Sequence, residues 1–300
     1  MKLLCTADWH IRSIKPECRE KEEFLKTQES VLKEIAKIYH DCECNYIVHA
    51  GDIFNKAKPE KPQELEIMIY SIFNGINFLF VPGNHDLLYH SIENINKGSV
   101  GVIKNYDGFE LVNDFYSGDY GFYGHAWEVD EIEVKKDKQI SIGIIHKFVA
   151  KDSVPFFIKD GLTAKEVCSI YNYDIAITGD NHNGFIYKHP KTGQIVINSG
   201  CITRQKRDMK KYKPRIYILD TITKDIETVY LSDVDESVIL DYTKDQKERS
   251  ERIDSFIEKI QSTQDIELDF ENNLNIYCKK NNVKSEVQNI IEEVSSVTGD

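Results

Sequence analysis

The chain has 300 residues and a mass of 34.7 kDa, with 41% apolar and 29% charged residues. That is enough to bury a core without disulfides or a structural metal, and it excludes a disordered or fibrous chain. Lys and Arg total 38 and Asp and Glu 50, so the net charge of −12 excludes a simple basic DNA-coating protein.

Residues 2–7 (KLLCTA) and 45–50 (NYIVHA) are short apolar runs read as strands, and between them Phe24, Leu25, Val31, Leu32, Ile35 and Ile38 recur at helical spacing. A second cycle follows, with a helix over 60–74 opening at Pro59 and Pro62 and a strand over 76–81. Strand, helix, strand, helix, strand is most economically a parallel sheet. From 109 to 232 the chain becomes strand-rich, with short Gly or Asp turns such as Lys191-Thr192-Gly193, and a second, largely antiparallel sheet is expected there. Past 235 helical spacing returns in 243–261 and 283–297, and residues 236–300 carry a net charge of −7. The expected division is a domain over 1–235 and an acidic helical extension over 236–300. Neither an internal repeat nor a low-complexity linker is evident.

No run is long enough to cross a bilayer, and no apolar stretch precedes Cys5, so neither a signal peptide nor a lipid anchor is expected. The seven cysteines are scattered, and the Cys42/Cys44 pair lacks a second pair at zinc-finger spacing. Reduced thiols and a cytoplasmic setting are the expectation.

The predicted strands end in polar bursts, the end at which open α/β sheets hold ligands. Asp8, His10, Asp52, Asn84, His85, Asp86, His146, Asp180 and His182 come from five such ends. All are types that bind divalent metals or neighbour one that does. Burying so many polar groups without partners would cost several kcal/mol, and cations answer that cost.

The elements DWH, GDIF, GNHD, IIH and GDNH, in this order, resemble the calcineurin-like metallophosphoesterase superfamily over roughly residues 1–220. The resemblance implies an α/β fold, a four-layer sandwich of two mixed β-sheets flanked by helices, with a small helical C-terminal extension. It implies two divalent ions, one held by Asp8, His10, Asp52 and His182, the other by Asp52, Asn84, His146 and Asp180, with Asp52 bridging. His85 would be the general acid and Asp86 would orient and charge it. Asp180 stands where the family usually has a histidine. The exchange of imidazole for carboxylate makes that position harder and favours manganese, or magnesium, over zinc; the alternative is that Asp180 only orients a neighbour and the second site is weak. Two such ions about 3.5–4 Å apart clamp the attacking and leaving oxygens of an in-line displacement at phosphorus.

Within the superfamily, GDIF and GNHD are similar to SbcD-like DNA repair exonucleases, including phage-encoded ones, and the Arg-Gly and Gly-Asn-His-Glu of protein phosphatases are missing. Asn55 stands where some of these nucleases have a histidine. The resemblance implies DNA as substrate, an SbcC-type ATPase partner and the cytoplasm of a bacterium or phage-infected cell; the C-terminal helices either dock that partner or pack back on the catalytic domain. A homodimer is left open and no membrane association is expected. Residues 204–215 hold seven bases and one acid, so Arg204, Lys206, Arg207, Lys210 and Lys211 are candidate DNA contacts, with Tyr212 a candidate stacking residue. Rival readings are a phosphodiesterase or phosphatase for small nucleotides or other phosphate esters, and a non-catalytic scaffold on the same fold. His49 and His125 are read as packing residues, and His40, His90 and His189 as surface residues.

Overall fold

The computed structural model describes residues 1–19, 23–127, 138–233 and 278–281. The chain divides into two compact units, Met1–Leu240 and Asp241–Asp300. The helices expected over 243–261 and 283–297 lie outside the described residues. Among the described residues, no helix is long and apolar enough to cross a membrane.

In chain order the strands are β1 (Lys2–Thr6), β2 (Tyr46–His49), β3 (Phe78–Phe80), β4 (Phe109–Leu111), β5 (Asp114–Ser117), β6 (Tyr120–His125) and β7 (Ile140–Ile145). They continue with β8 (Val149–Ala150), β9 (Leu162–Thr163), β10 (Ile175–Thr178), β11 (Phe185–Lys188), β12 (Ile195–Asn198), β13 (Arg215–Asp220) and β14 (Ile226–Tyr230). The named α-helices of the described residues are α1 (Phe24–Asp41), α2 (Pro62–Phe73), α3 (Ser99–Ile103) and α4 (Ala164–Ile170). One six-stranded sheet has the order β14-β13-β1-β2-β3-β4, a second six-stranded sheet β11-β12-β10-β7-β6-β5, and β8 and β9 form a small two-stranded sheet.

Strand alternation builds the layers. Leu4, Ile47, Phe78 and Phe80 point from the first sheet into a core shared with Val31, Leu32 and Ile35 of α1 and Leu65 and Ile69 of α2. Their neighbours Leu3, Cys5, Val48 and Leu79 point the other way, against Ile142, Ile144, Ile175, Ile177, Ile195 and Ile197 of the second sheet. The opposite face of that sheet, through Ala176 and Val196, meets Ala164, Val167 and Cys168 of α4. Helices, sheet, sheet, helix is the four-layer arrangement, and both sheets are mixed.

The largely antiparallel second sheet expected from the turns is corrected. Its central strands β6, β7, β10 and β12 are all parallel, and only β5 and β11 at its edges run antiparallel. The Gly-containing turns that suggested hairpins belong to those edges. β4 joins the first sheet beside β3, and β13 and β14 return to pair antiparallel beside β1. Buried parallel strands read as continuous apolar runs, which short turn signals nearby do not distinguish from hairpin strands.

Trp9 fixes the chain where it leaves β1. Its ring is fully buried against His49, Phe73 and Phe78 at centroid distances of 4.7, 5.2 and 5.5 Å, and its Nε1–H donates to Thr6 Oγ1 at 2.8 Å. With Trp9 turned into the helix-side core, Asp8 and His10 on either side are turned out of it. Trp9→Ala should lower the unfolding free energy by about 3–5 kcal/mol in urea titration, as deletion of a buried aromatic ring does; a loss below about 1 kcal/mol would show that the ring is not an anchor.

Candidate metal centre

The parallel strands of both sheets end on the same side, and the loops that follow them turn sharply. Asp8, His10, Asp52 and Asp180 all have left-handed backbones, with φ of 51°, 46°, 60° and 70°. Such a conformation in a non-glycine residue costs about 1–2 kcal/mol and persists only where surroundings enforce it. Gly83 leaves room for this crowding, because a Cβ there would collide with the carboxylate and amide of Asp52. Gly51, at φ of +93°, likewise lies where a side chain would strike the His146 ring.

Three overlapping groups result, each with ligand atoms within 4.8 Å of one another: Asp8, His10 and His182; Asp8, Asp52 and His146; and His10, Asp52 and His85. Asp52 joins them, its Oδ2 lying 3.7 Å from His10 Nε2 and 3.6 Å from His146 Nε2. His146 Nδ1 lies 2.7 Å from the Ala50 carbonyl, so the ring donates its proton there and turns the Nε2 lone pair toward Asp52 and the Asn84 side-chain oxygen at 3.1 Å. His10 Nε2 and His182 Nε2 converge at 3.0 Å. Asp8 Oδ2, His10 Nδ1 and His182 Nδ1 are buried without hydrogen-bond partners.

Burial pushes the Asp8 and Asp52 carboxyls well up, assisted for Asp52 by the charge of Asp86. Burial also pushes His10 well down, followed by the charge of His182, and holds His182 at about 4, followed by that of Lys206. Acceptors that face one another in a dry pocket, with few protons between them, fit divalent cations, and a bound cation reverses both tendencies. Asp8, His10, Asp52 and His182 would hold one ion, and Asp8 or Asp52 with His146 and Asn84 a second.

Asp180 N–H donates to Asp8 Oδ1 at 3.0 Å from a left-handed turn. Its carboxylate lies outside the three groups, but its charge acts on Asp8 and Asp52 and it lines one cavity with His146. The orienting role expected of Asp86 is corrected. Its carboxylate accepts the amide protons of Phe54 at 2.9 Å, Gly83 at 3.0 Å and Ile53 at 3.2 Å, clipping the Asp52 loop to the Gly83 loop. His85 is oriented instead by the Asn55 carbonyl, 2.8 Å from its Nδ1, and its backbone N–H donates to Asp52 Oδ1 at 2.9 Å. Its exposed ring stands edge-on to His10 at 4.8 Å.

Of the expected DNA contacts, Arg204 is corrected outright. It is buried, donating to the Lys210 carbonyl at 3.0 Å and the Asp233 carbonyl at 2.9 Å, and Asp233 also takes a two-pronged bond from buried Arg19 at 2.7 and 2.9 Å. Tyr212 turns its hydroxyl inward to the carbonyls of Cys201 and Ser199. Arg207 and Lys210 are half-buried, whereas Lys206 and Lys211 are exposed.

Two residues near the site escape the sequence reading. Arg12 follows His10 by two positions, donates to the side chain of Gln205, and bears a charge that depresses both His10 and His182. His90, a plain surface residue by sequence, has its Nδ1 3.0 Å from the carbonyl of Asn84. The only signal for either is proximity to DWH and GNHD. His49 and His125 are buried in packing as expected, the first against Trp9 and the second with its Nε2 2.9 Å from the Tyr173 hydroxyl.

The model of the family described as calcineurin-like phosphoesterase matches residues 1–184. The chain belongs to that family. It is thereby placed among metal-dependent phosphoesterases, whose members typically bind two divalent metals. No curated protein matches it at significant similarity. Similar solved structures include TT1561 of Thermus thermophilus, 14% identical, with 76% of this chain and 98% of that one covered and a TM-score of 0.49. They also include a dimetal phosphatase from Danio rerio, 10% identical, with 77% and 99% covered and a TM-score of 0.47. The phosphoesterase Yfce from E. coli is 10% identical, with 77% and 100% covered and a TM-score of 0.39. At these scores the three likenesses carry no further argument.

Because Asp52 faces both histidine groups, Asp52→Ala should abolish binding of both metal equivalents in manganese titration calorimetry. A variant that keeps one equivalent would show that the carboxylate serves a single ion.

Proposed function

We propose that this family member is a two-metal DNA nuclease, loaded preferentially with manganese, that hydrolyses phosphodiester bonds. The observation that carries the reading is the group of Asp8, Asp52, His10, His146 and His182 with the exposed imidazole of His85 at its edge. Divalent ions held there would withdraw charge from the phosphoryl oxygens and stabilise both the attacking and leaving oxygens. The residues themselves supply orientation and proton transfer. His85, fixed through Nδ1 by the Asn55 carbonyl, keeps Nε2 for protonating the leaving alkoxide. Asp86 holds the two loops that carry Asp52 and His85 in one register.

What supports nucleic acid over a small ester is the resemblance of the GDIF and GNHD elements to SbcD-like nucleases, together with the cations around the site. Arg12 and Lys206 act on His10 and His182 through their charge, and Lys211 is exposed nearby in sequence. They give local positive charge to a chain of net −12, which suits a polyanion drawn to one place. The ATPase partner of SbcC type and the cytoplasmic setting belong to the same reading and rest on the resemblance.

Single-turnover reactions with manganese on labelled single- and double-stranded DNA, run beside a chromogenic phosphodiester, test the substrate. Cleavage of DNA is expected; hydrolysis of the ester with DNA left intact would give the site to small phosphate esters. His85→Ala should keep its metal by elemental analysis and lose about two to four orders of magnitude in turnover. An unchanged rate would remove His85 from the mechanism.

A further inference from the structure

Next to the metal centre lies a cavity of about 540 Å³, a size that suits a small organic group, and the proposed mechanism makes no use of it. His146 and Asp180 belong to its lining, so the cavity is continuous with the metal side. Trp127, Phe148, Phe157 and Tyr171 line it too, and the Trp127 ring is 6.1 Å from that of His146. Lys147, Lys159 and Asp160 complete the charged part of the lining.

Phe157 is held at the rim by its own loop. The Ile158 N–H donates to the Pro155 carbonyl at 2.9 Å, closing a turn that presents Phe156 and Phe157 side by side, 98% and 69% exposed. The turn is braced from below. Leu162 N–H donates to the Phe148 carbonyl at 2.9 Å, β8 pairs with β9, and Gly161 lies so close to Val154, Ile158 and Phe148 that a Cβ would meet them at 2.7, 2.9 and 3.1 Å. Single exposed apolar residues are ordinary, but two adjacent phenyl groups on a braced turn both forgo the stabilisation that burial gives such rings. His125, also in the lining, has its Nε2 2.9 Å from the Tyr173 hydroxyl, and its ring stands edge-on to Tyr171 at 5.0 Å. Trp127 and Phe157, with Lys147 and Lys159, are the groups the cavity offers a guest.

We propose that this cavity is a nucleobase subsite, taking one unpaired base of the strand whose adjoining phosphodiester lies at the metals. The inference rests on the nuclease reading and narrows its substrate class to single-stranded or frayed DNA. The base stacks on Phe157 and Trp127, and Lys147 and Lys159 meet the phosphates on either side. Interleaved rings and cations are what a single strand requires, because each base offers a π-face and each linkage a charge. A base within a duplex has both faces covered by its neighbours, so it must leave the stack to enter.

The test uses the full-length chain with manganese and two single-stranded oligonucleotides of equal length, one normal and one abasic throughout. The wild-type chain should show a KM about tenfold higher on the abasic strand, and Phe157→Ala and Trp127→Ala should bring that ratio close to one, with Phe157→Trp restoring it. Phe157 is exposed, so its replacement leaves folding intact. Equal ratios in wild type and both alanine variants would overturn the subsite while the nuclease reading stands. If neither strand is cut while a chromogenic phosphodiester is hydrolysed, the nuclease reading falls and the subsite with it.

Discussion

Acceptors that face one another without enough protons between them are the constraint on which the rest of this molecule depends. Asp8 and Asp52 are buried carboxylates beside His10, His146 and His182, and the one ring proton that can be placed by its partner, on His146 Nδ1, is turned away toward Ala50. In a dry pocket this arrangement is costly unless positive charge enters it. The left-handed backbones at Asp8, His10, Asp52 and Asp180 add strain in the same place. A protein selected for stability alone would have replaced these groups; keeping them makes the cations part of what holds this end of the fold together.

The scaffold meets that cost with rigidity. Trp9 is sunk in the helix-side core between two ligands, and Gly51 and Gly83 allow the loops after β2 and β3 to touch side chains from neighbouring strands. Asp86 commits its carboxylate to three amides, which makes those two loops a single body. The same body carries His85 and, through its Asn84 carbonyl, His90. An imidazole mounted this way keeps its place beside Asp52, because its loop cannot shift without that carboxylate.

What the sequence revealed and what it hid follow from the range of the interactions concerned. The residues that gather at the candidate metal centre were legible because each sits in a short burst at a strand end, where local spacing carries the information. Strand direction in the second sheet was not, because β7, β10 and β12 are apolar on both faces and their order depends on crossovers that no short motif encodes. Arg204 looked like its basic neighbours, yet Asp233, 29 residues on, draws it inward. Asp86 was misjudged for a related reason: a carboxylate next to a histidine in sequence is equally available to buried amides, and here Ile53, Phe54 and Gly83 take it.

The site thereby separates into two kinds of part. The candidate ligands and the His85 imidazole stand at the ends of core strands, where displacement would break packing in both sheets. The groups that can meet the rest of a substrate stand on the connections: Arg12 and Lys206 toward the His10 and His182 side, and Trp127, Lys147 and Phe157 toward the His146 side. Such connections change length and composition with little effect on either sheet. Hydrolysis at phosphorus belongs to the family, and on the proposed nuclease reading the choice of phosphate ester falls to two flanks of unlike chemistry, one cationic and one aromatic with Lys147, Lys159 and Asp160 in its lining. On that reading a polymer with charges and flat bases in alternation would meet both flanks at once, which a small ester occupying only the metal centre would not.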